Sequence, residues 1–121
     1  MKKILIVDDS PTIRRMIRAS LHALSGIVFD EAGNGLEAIE RLALGPVSLV
    51  ILDLNMPDMH GKEVIEFVRS HQGYAGLPII VLTTRKDEAV RQSVLAAGAS
   101  LFLTKPFEPA TLAQHVQALL V

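Results

Sequence analysis

Four short apolar runs that each end in a polar side chain constrain this chain more than any other feature of it. Ile4-Leu5-Ile6-Val7 leads into Asp8-Asp9, and Leu49-Val50-Ile51-Leu52 into Asp53. Ile79-Ile80-Val81-Leu82 leads into Thr83, and Leu101-Phe102-Leu103, one residue on, into Lys105-Pro106. Unbroken apolar runs of this length, lying between helical stretches, read as parallel strands covered on both faces. In open sheets of that kind ligands bind outside the carboxyl ends of the strands, where strand order reverses. That edge would carry three carboxylates, a hydroxyl and an ammonium.

The intervening segments have helical periodicity. Ser10-Pro11 supplies an N-cap and a proline at the first helical position, before Ile13, Met16, Ile17, Leu21 and Leu24 on one inward face. Ile27 to Glu31 reads as a short second strand. Asn34-Gly35 opens a second helix with Ala38, Ile39 and Leu42 inward, and Gly45-Pro46 ends it. Met56-Pro57-Asp58 reads as a loop. Gly61 precedes a third helix with Val64, Ile65 and Val68 inward. The fourth helix holds Val90, Val94 and Ala97 and stops at Gly98; the fifth runs from Pro109 to Leu120 with Leu112, Val116, Leu119 and Leu120 inward. Strict strand–helix alternation predicts an α/β domain, a doubly wound five-stranded parallel sheet with five helices. At 121 residues the expectation is one domain spanning residues 1–121.

Composition narrows the function. Half the residues are hydrophobic and 21% are charged, which argues against disorder. A net charge of -1 offers no reason to expect nucleic acid or an anionic membrane as a partner. There is no cysteine, so thiol chemistry and disulfides are excluded. The apolar run after Met1-Lys2-Lys3 is too short for a signal peptide, and no run approaches the ~20 residues of a membrane span. The expected location is cytoplasmic.

With the first and third strands adjacent, Asp8, Asp9 and Asp53 fall close together. Clustered carboxylates repel one another unless a cation is present. Mg²⁺ suits them, being small, octahedral and oxygen-liganded, and the Asn55 backbone carbonyl is a further candidate ligand. Taken alone, Asp8-Asp9 reads equally well as a pair that precedes and caps the first helix. Asp53 is also a candidate nucleophile, since carboxylates form aspartyl-phosphate intermediates. The charge of a transferring phosphoryl group can be shared by a metal, the Lys105 ammonium and the Thr83 hydroxyl. The Lys105-Pro106 bond, in a turn beside the site, is a candidate for the cis isomer, although base rates alone favour a trans proline that starts a loop.

In this order and spacing, Asp8-Asp9, Asp53-Leu54-Asn55-Met56-Pro57 with Gly61, Thr83 and Lys105-Pro106-Phe107 resemble the receiver domain of two-component response regulators, along the whole chain. The likeness is greatest to the single-domain chemotaxis members of that family. The resemblance implies a flavodoxin-like sheet of order 2-1-3-4-5. It implies a phosphorelay response regulator, with Asp53 as phospho-acceptor from a sensor histidine kinase or phosphotransfer domain that meets helix 1. Asp9, Asp53 and the Asn55 carbonyl would hold Mg²⁺ directly, with Asp8 acting through water. Thr83 and Lys105 would bind the phosphoryl oxygens. Phe102 stands where the family has a switching aromatic, and the helix 4–strand 5–helix 5 face would meet an output protein. One position departs from the pattern: Thr84 stands where the family usually has alanine or glycine.

An alternative of another class is a small Mg²⁺-dependent aspartyl-phosphate phosphohydrolase of the haloacid-dehalogenase type. Such enzymes carry a second acid two residues after the nucleophile, where this chain has Asn55. Arg14, Arg15 and Arg18 form a basic stretch on the first helix, with Arg14 and Arg18 on one face; kinase contact and a solvated face are the two readings. His22, His60, His71 and His115 lack metal-ligand spacing and read as surface residues. Arg85, Lys86 and Arg91, near the fourth helix, read as solvated, with contact to an output partner as the second reading.

Overall fold

Why the sheet forms is visible in its strands: β1 (Lys2–Val7), β2 (Ile27–Ala32), β3 (Leu49–Leu52), β4 (Ile79–Thr83) and β5 (Leu101–Thr104) are short and mostly aliphatic. All residues of β3 and β4 are buried, as a strand covered on both faces must be. The computed structural model describes residues 1–56 and 59–120. The sheet is parallel throughout, in the order β2-β1-β3-β4-β5.

Among the described residues four helices connect the strands, α1 (Pro11–Ser20), α2 (Gly35–Ala43), α3 (Gly61–Ser70) and α4 (Glu88–Ala97), and α5 (Pro109–Leu119) follows β5. A 3₁₀ turn, Gln72–Tyr74, lies between α3 and β4. Side-chain alternation along the strands divides the core in two. On one face Ile4, Ile6, Leu49, Ile51, Ile80 and Leu82 pack against Ile17 and Leu21 at α1 and Leu112 and Val116 of α5. On the other, Leu5, Val7, Val50, Leu52, Ile79 and Val81 pack against α2, α3 and Val94 of α4. No helix among the described residues is long and apolar enough to cross a membrane.

The helix starts follow the sequence. The Ser10 hydroxyl accepts from the Ile13 N–H at 3.2 Å, with Pro11 at the first position of α1. The Asn34 side chain accepts from the Glu37 N–H at 2.8 Å to start α2. His60 caps α3: its Nδ1 accepts from the Lys62 N–H, and Glu63 reaches back to the His60 N–H. Gly98 closes α4 at φ 121°, the conformation expected of a terminating glycine.

Two residues expected to face inward are not in the core: Ile39, which is only partly buried and packs in neither half of it, because α2 seats on the sheet through Ala38 and Leu42, and Met16. Met16 is 49% exposed, because α1 lies on the sheet through Ile17 and Leu21, and Met16 is turned about 100° away from Ile17 around the helix. It flanks an open apolar cleft with Ala19, Ser20, Phe107 and Pro109. Pro57 and Asp58 of the expected loop lie outside the described residues.

Gly61 brings α3 against the end of β3. A Cβ there would stand 2.6 Å from the Asp53 carbonyl oxygen and 2.8 Å from Leu54 Cα, both backbone atoms that cannot swing aside. Gly61→Ala is therefore expected to destabilise the fold by about 1–3 kcal/mol. Gly73→Ala, where nothing lies within 4 Å of the new methyl, stays within about 1 kcal/mol of wild type. Urea midpoints followed by circular dichroism give both values, and equal midpoints for the two variants would contradict the close approach.

Candidate functional site

Parallel register places the site. Val7 of β1 stands opposite Leu52 of β3, so Asp8 and Asp53 emerge side by side one residue later. The Asp53 N–H donates to the Val7 carbonyl at 2.9 Å, and the Asp8 N–H to the Ala32 carbonyl at 3.1 Å. On the other flank Thr83 stands opposite Thr104, and the Lys105 N–H donates to the Thr83 carbonyl at 2.8 Å. The Lys105-Pro106 bond is cis.

Lys105 crosses this edge. Its Nζ donates to Asp8 Oδ2 at 2.6 Å and lies 3.7 Å from Asp53 Oδ2. Asp8, Asp53 and Thr83 are the buried polar residues of the chain's described part, at 2%, 6% and 0% exposure. Asp8 is fully engaged: its Oδ1 accepts from the Ser10 N–H at 2.9 Å while Oδ2 takes Lys105. It serves the start of α1 and the site at once, so the two readings of Asp8-Asp9 are not exclusive. Asp9 is exposed. Burial holds the Asp53 carboxyl above the usual aspartate range, and Asp8 adds to this; Lys105, the Asn55 N–H and the Thr83 hydroxyl pull against it without cancelling it.

Carboxylate oxygens of Asp8, Asp9 and Asp53 all lie within 4.8 Å of one another. Three carboxylates against one ammonium leave two negative charges in excess, in a place partly shielded from water. An all-oxygen donor set with that excess fits a hard divalent cation. Phe102 lies on the same sheet face as Thr83: it stands opposite Val81 and packs, partly buried, on the α3–α4 side of the core. Thr84 is exposed.

The basic residues of α1 fit neither sequence reading fully. Arg14 Nε and Arg18 Nη1 each meet Glu31 at 2.8 Å, one on each carboxylate oxygen, and Arg14 Nη1 also donates to the Asp8 carbonyl. Arg14 is therefore a structural tie, whereas Arg15 is exposed. Glu31 was missed because its partners lie 13 and 17 residues away; only the adjacency of β1 and β2 could have exposed it. Arg85 pairs with Asp87 and Arg91 with Glu88 at the surface, and His22, His60 and His71 are exposed, as expected. His115 is partly buried.

Comparison with known proteins finds a family model, described as response regulator receiver domain, that matches residues 4–117. The chemotaxis protein CheY1 of Helicobacter pylori is 38% identical over 119 residues, covering 98% of this chain and 96% of that protein. Among solved structures, the chemotaxis response regulator CheY4 of Vibrio cholerae superposes with a TM-score of 0.89 at 37% identity, covering 98% of each chain. The Mn²⁺-bound form of response regulator Rcp1 superposes with a TM-score of 0.83 at 26% identity, covering 98% of this chain and 91% of that one.

The raised Asp53 pKa has a stability consequence of definite sign. Between the ordinary aspartate range and the raised folded value, folding takes up a proton, so acid favours the folded state; above that window the ionised carboxylate costs stability in full. Without divalent ions, Asp53→Asn should be more stable than wild type at pH 7, and the gap should narrow as pH falls to the ordinary aspartate range. Denaturant titrations at several pH values measure it; a gap that widens in acid would contradict the sign.

Proposed function

The chain belongs to the response regulator receiver domain family, and from that premise we propose that it is a phosphorelay switch in which Asp53 accepts a phosphoryl group from a phosphohistidine. Receiver domains are signalling switches rather than conventional enzymes, and a two-component receiver implies a kinase upstream and an output partner downstream. The reading of the site rests above all on Lys105 Nζ, which lies beside both Asp8 and Asp53 at the edge where Thr83 also ends.

An Asp53 carboxylate oxygen attacks phosphorus, the P–N bond to imidazole breaks, and the new P–O bond makes the aspartyl phosphate. The raised pKa of Asp53 makes its oxygens more basic, and Lys105 keeps a countercharge within 3.7 Å of the attacking group. Asp9, Asp53 and the Asn55 carbonyl would hold Mg²⁺, which would supply charge neutralisation at the phosphoryl oxygens. Asp8 suits an indirect role because the Ser10 N–H and Lys105 already occupy its two oxygens. Thr84, exposed beside the site, is the residue through which phosphoryl lifetime would differ from that of relatives with alanine or glycine there. The phosphohydrolase alternative gains nothing from the site, since Asn55 cannot act as a general acid. We further propose one receiver domain over residues 1–121, cytoplasmic, with α1 meeting the kinase or phosphotransfer domain.

The output is assigned to α4, β5 and α5. The α4 helix is lightly held: Val94 alone is buried, against Val64, Ile65 and Val68 in α3. Val90, Leu95 and Ala97 of α4 add contacts that are only partly buried. Its N-cap Asp87 makes no side-chain capping bond, whereas its C-terminal end is tied where Arg69 Nε donates to the Gly98 carbonyl at 2.9 Å. The looser end is the one joined to Thr83. Swinging a population from 1:99 to 99:1 takes about 5.5 kcal/mol. A hydrogen bond to a charged group contributes about 1.5–3 kcal/mol, and Lys105 already has carboxylate partners, so the Thr83 hydroxyl is needed to reach that total. Phosphorylation would draw Thr83 toward the phosphoryl oxygens and open room for Phe102 to turn inward, remodelling the face that meets the output protein.

Acetyl phosphate with Mg²⁺ should add one phosphoryl group by intact mass, and Asp53→Asn should abolish it. Thr83→Ala should still accept phosphate yet lose the phosphorylation-dependent change in amide exchange across residues 84–104. An adduct that survives Asp53→Asn would refute the acceptor, and an unchanged exchange response in Thr83→Ala would refute the coupling.

A further inference from the structure

We infer that Arg14 is a positioning residue for the cation site: its guanidinium, oriented by Glu31, holds the Asp8–Asp9 peptide so that the Asp9 carboxylate faces Asp53. The inference rests on the reading of Asp9 as a direct ligand of a divalent cation.

Asp9 is exposed, and among the described residues no hydrogen bond to its carboxylate fixes where it points. Its direction depends on the backbone that carries it. The peptide between Asp8 and Asp9 is planar, so fixing the Asp8 carbonyl fixes the plane from which Asp9 departs. Arg14 Nη1 donates to that carbonyl, while the Asp8 N–H is tied to Ala32 of β2. The same guanidinium is held at Nε by Glu31, whose other oxygen takes Arg18. Despite its partial burial, the Glu31 carboxyl is held below its usual range by Arg14 and Arg18, so this anchor keeps its charge through the neutral range.

Arg14 is poorly placed for helix stability. It lies in the first turns of α1, where a cation opposes the positive end of the helix dipole. Its side chain is 18% exposed, against 52% for Arg18. A planar fork that reaches a carbonyl and a carboxylate together is a task for arginine; lysine offers one point charge.

The sign of the effect separates positioning from electrostatics. Arg14 is a positive charge beside a cation site, so by Coulomb repulsion alone its removal would tighten Mg²⁺ binding. Positioning demands the opposite. Isothermal titration of Mg²⁺ into the full chain, at a temperature where melting curves show every variant folded, gives the answer. Arg14→Ala should bind Mg²⁺ at least about tenfold more weakly than wild type, the loss usual for groups that orient metal ligands. Arg14→Lys, which keeps the charge without the fork, should remain clearly weaker than wild type and decides the matter if Arg14→Ala does not fold. Arg18→Ala, which touches Glu31 but not Asp8, should stay within about twofold. Unchanged or tighter binding by either Arg14 variant would overturn the inference, as would an equal loss in Arg18→Ala. Absence of Mg²⁺ binding by wild type would instead overturn the reading of the site beneath it.

Discussion

Two buried carboxylates share one ammonium at the edge of this sheet, and the other features of the site follow from that imbalance. Asp8 and Asp53 emerge from neighbouring strands at matched register, so repulsion between them is built into the topology. Lys105 reaches both, but closely only Asp8, at 2.6 Å against 3.7 Å. Breaking such a pair is expensive because it leaves a charge buried without compensation. With Asp9 added, the cluster holds more negative charge than the protein itself neutralises. An electrostatic arrangement of this kind is suited to a divalent cation, and in the function proposed above Lys105 and Thr83 would meet the oxygens of the phosphoryl group.

The same topology determines what the site can influence. The strand ends that carry Asp53, Thr83 and Lys105 each continue into a loop and a helix. Thr83 leads into α4, which rests on one buried side chain, and Lys105 leads into α5, which rests on two. On the opposite flank, Asp8 is tied to β2 through Ala32, and to Arg14 and Glu31. The half of the site with the carboxylate cluster is thus braced, while the half proposed to report on it adjoins α4, whose N-cap Asp87 makes no side-chain capping bond. A rigid acceptor beside a loosely held reporter is the mechanical requirement of a switch.

Much of this was legible in the residues. Short aliphatic runs ending in Asp8, Asp53 and Thr83 identified three strand ends correctly, since strands buried on both faces cannot hide their composition. Caps at Ser10, Asn34 and Gly98 marked helix boundaries because their chemistry is local. Strand order was not available from periodicity and came from the family resemblance. Met16 was misplaced because helical periodicity shows that a face is apolar but not how far the stripe extends once the helix is seated. The roles of Arg14 and Glu31 were invisible for a related reason: the tie spans 17 residues and two elements, and nothing in either local segment announces it. The Pro57 part of the acceptor segment lies outside the described residues.

The central claim is that the Asp8–Asp9–Asp53 cluster is short of a divalent cation, and thermal unfolding tests it most directly. A ligand bound only by the folded state stabilises it by RT ln(1 + L/Kd), where L is the free ligand concentration, about 1.4 kcal/mol at ten times its dissociation constant. Millimolar Mg²⁺ at pH 7 should therefore raise the unfolding temperature of wild type by several degrees over KCl of equal ionic strength, and the rise should grow with Mg²⁺ concentration. An unfolding temperature that responds to ionic strength alone, identically in Mg²⁺ and K⁺, would contradict the account.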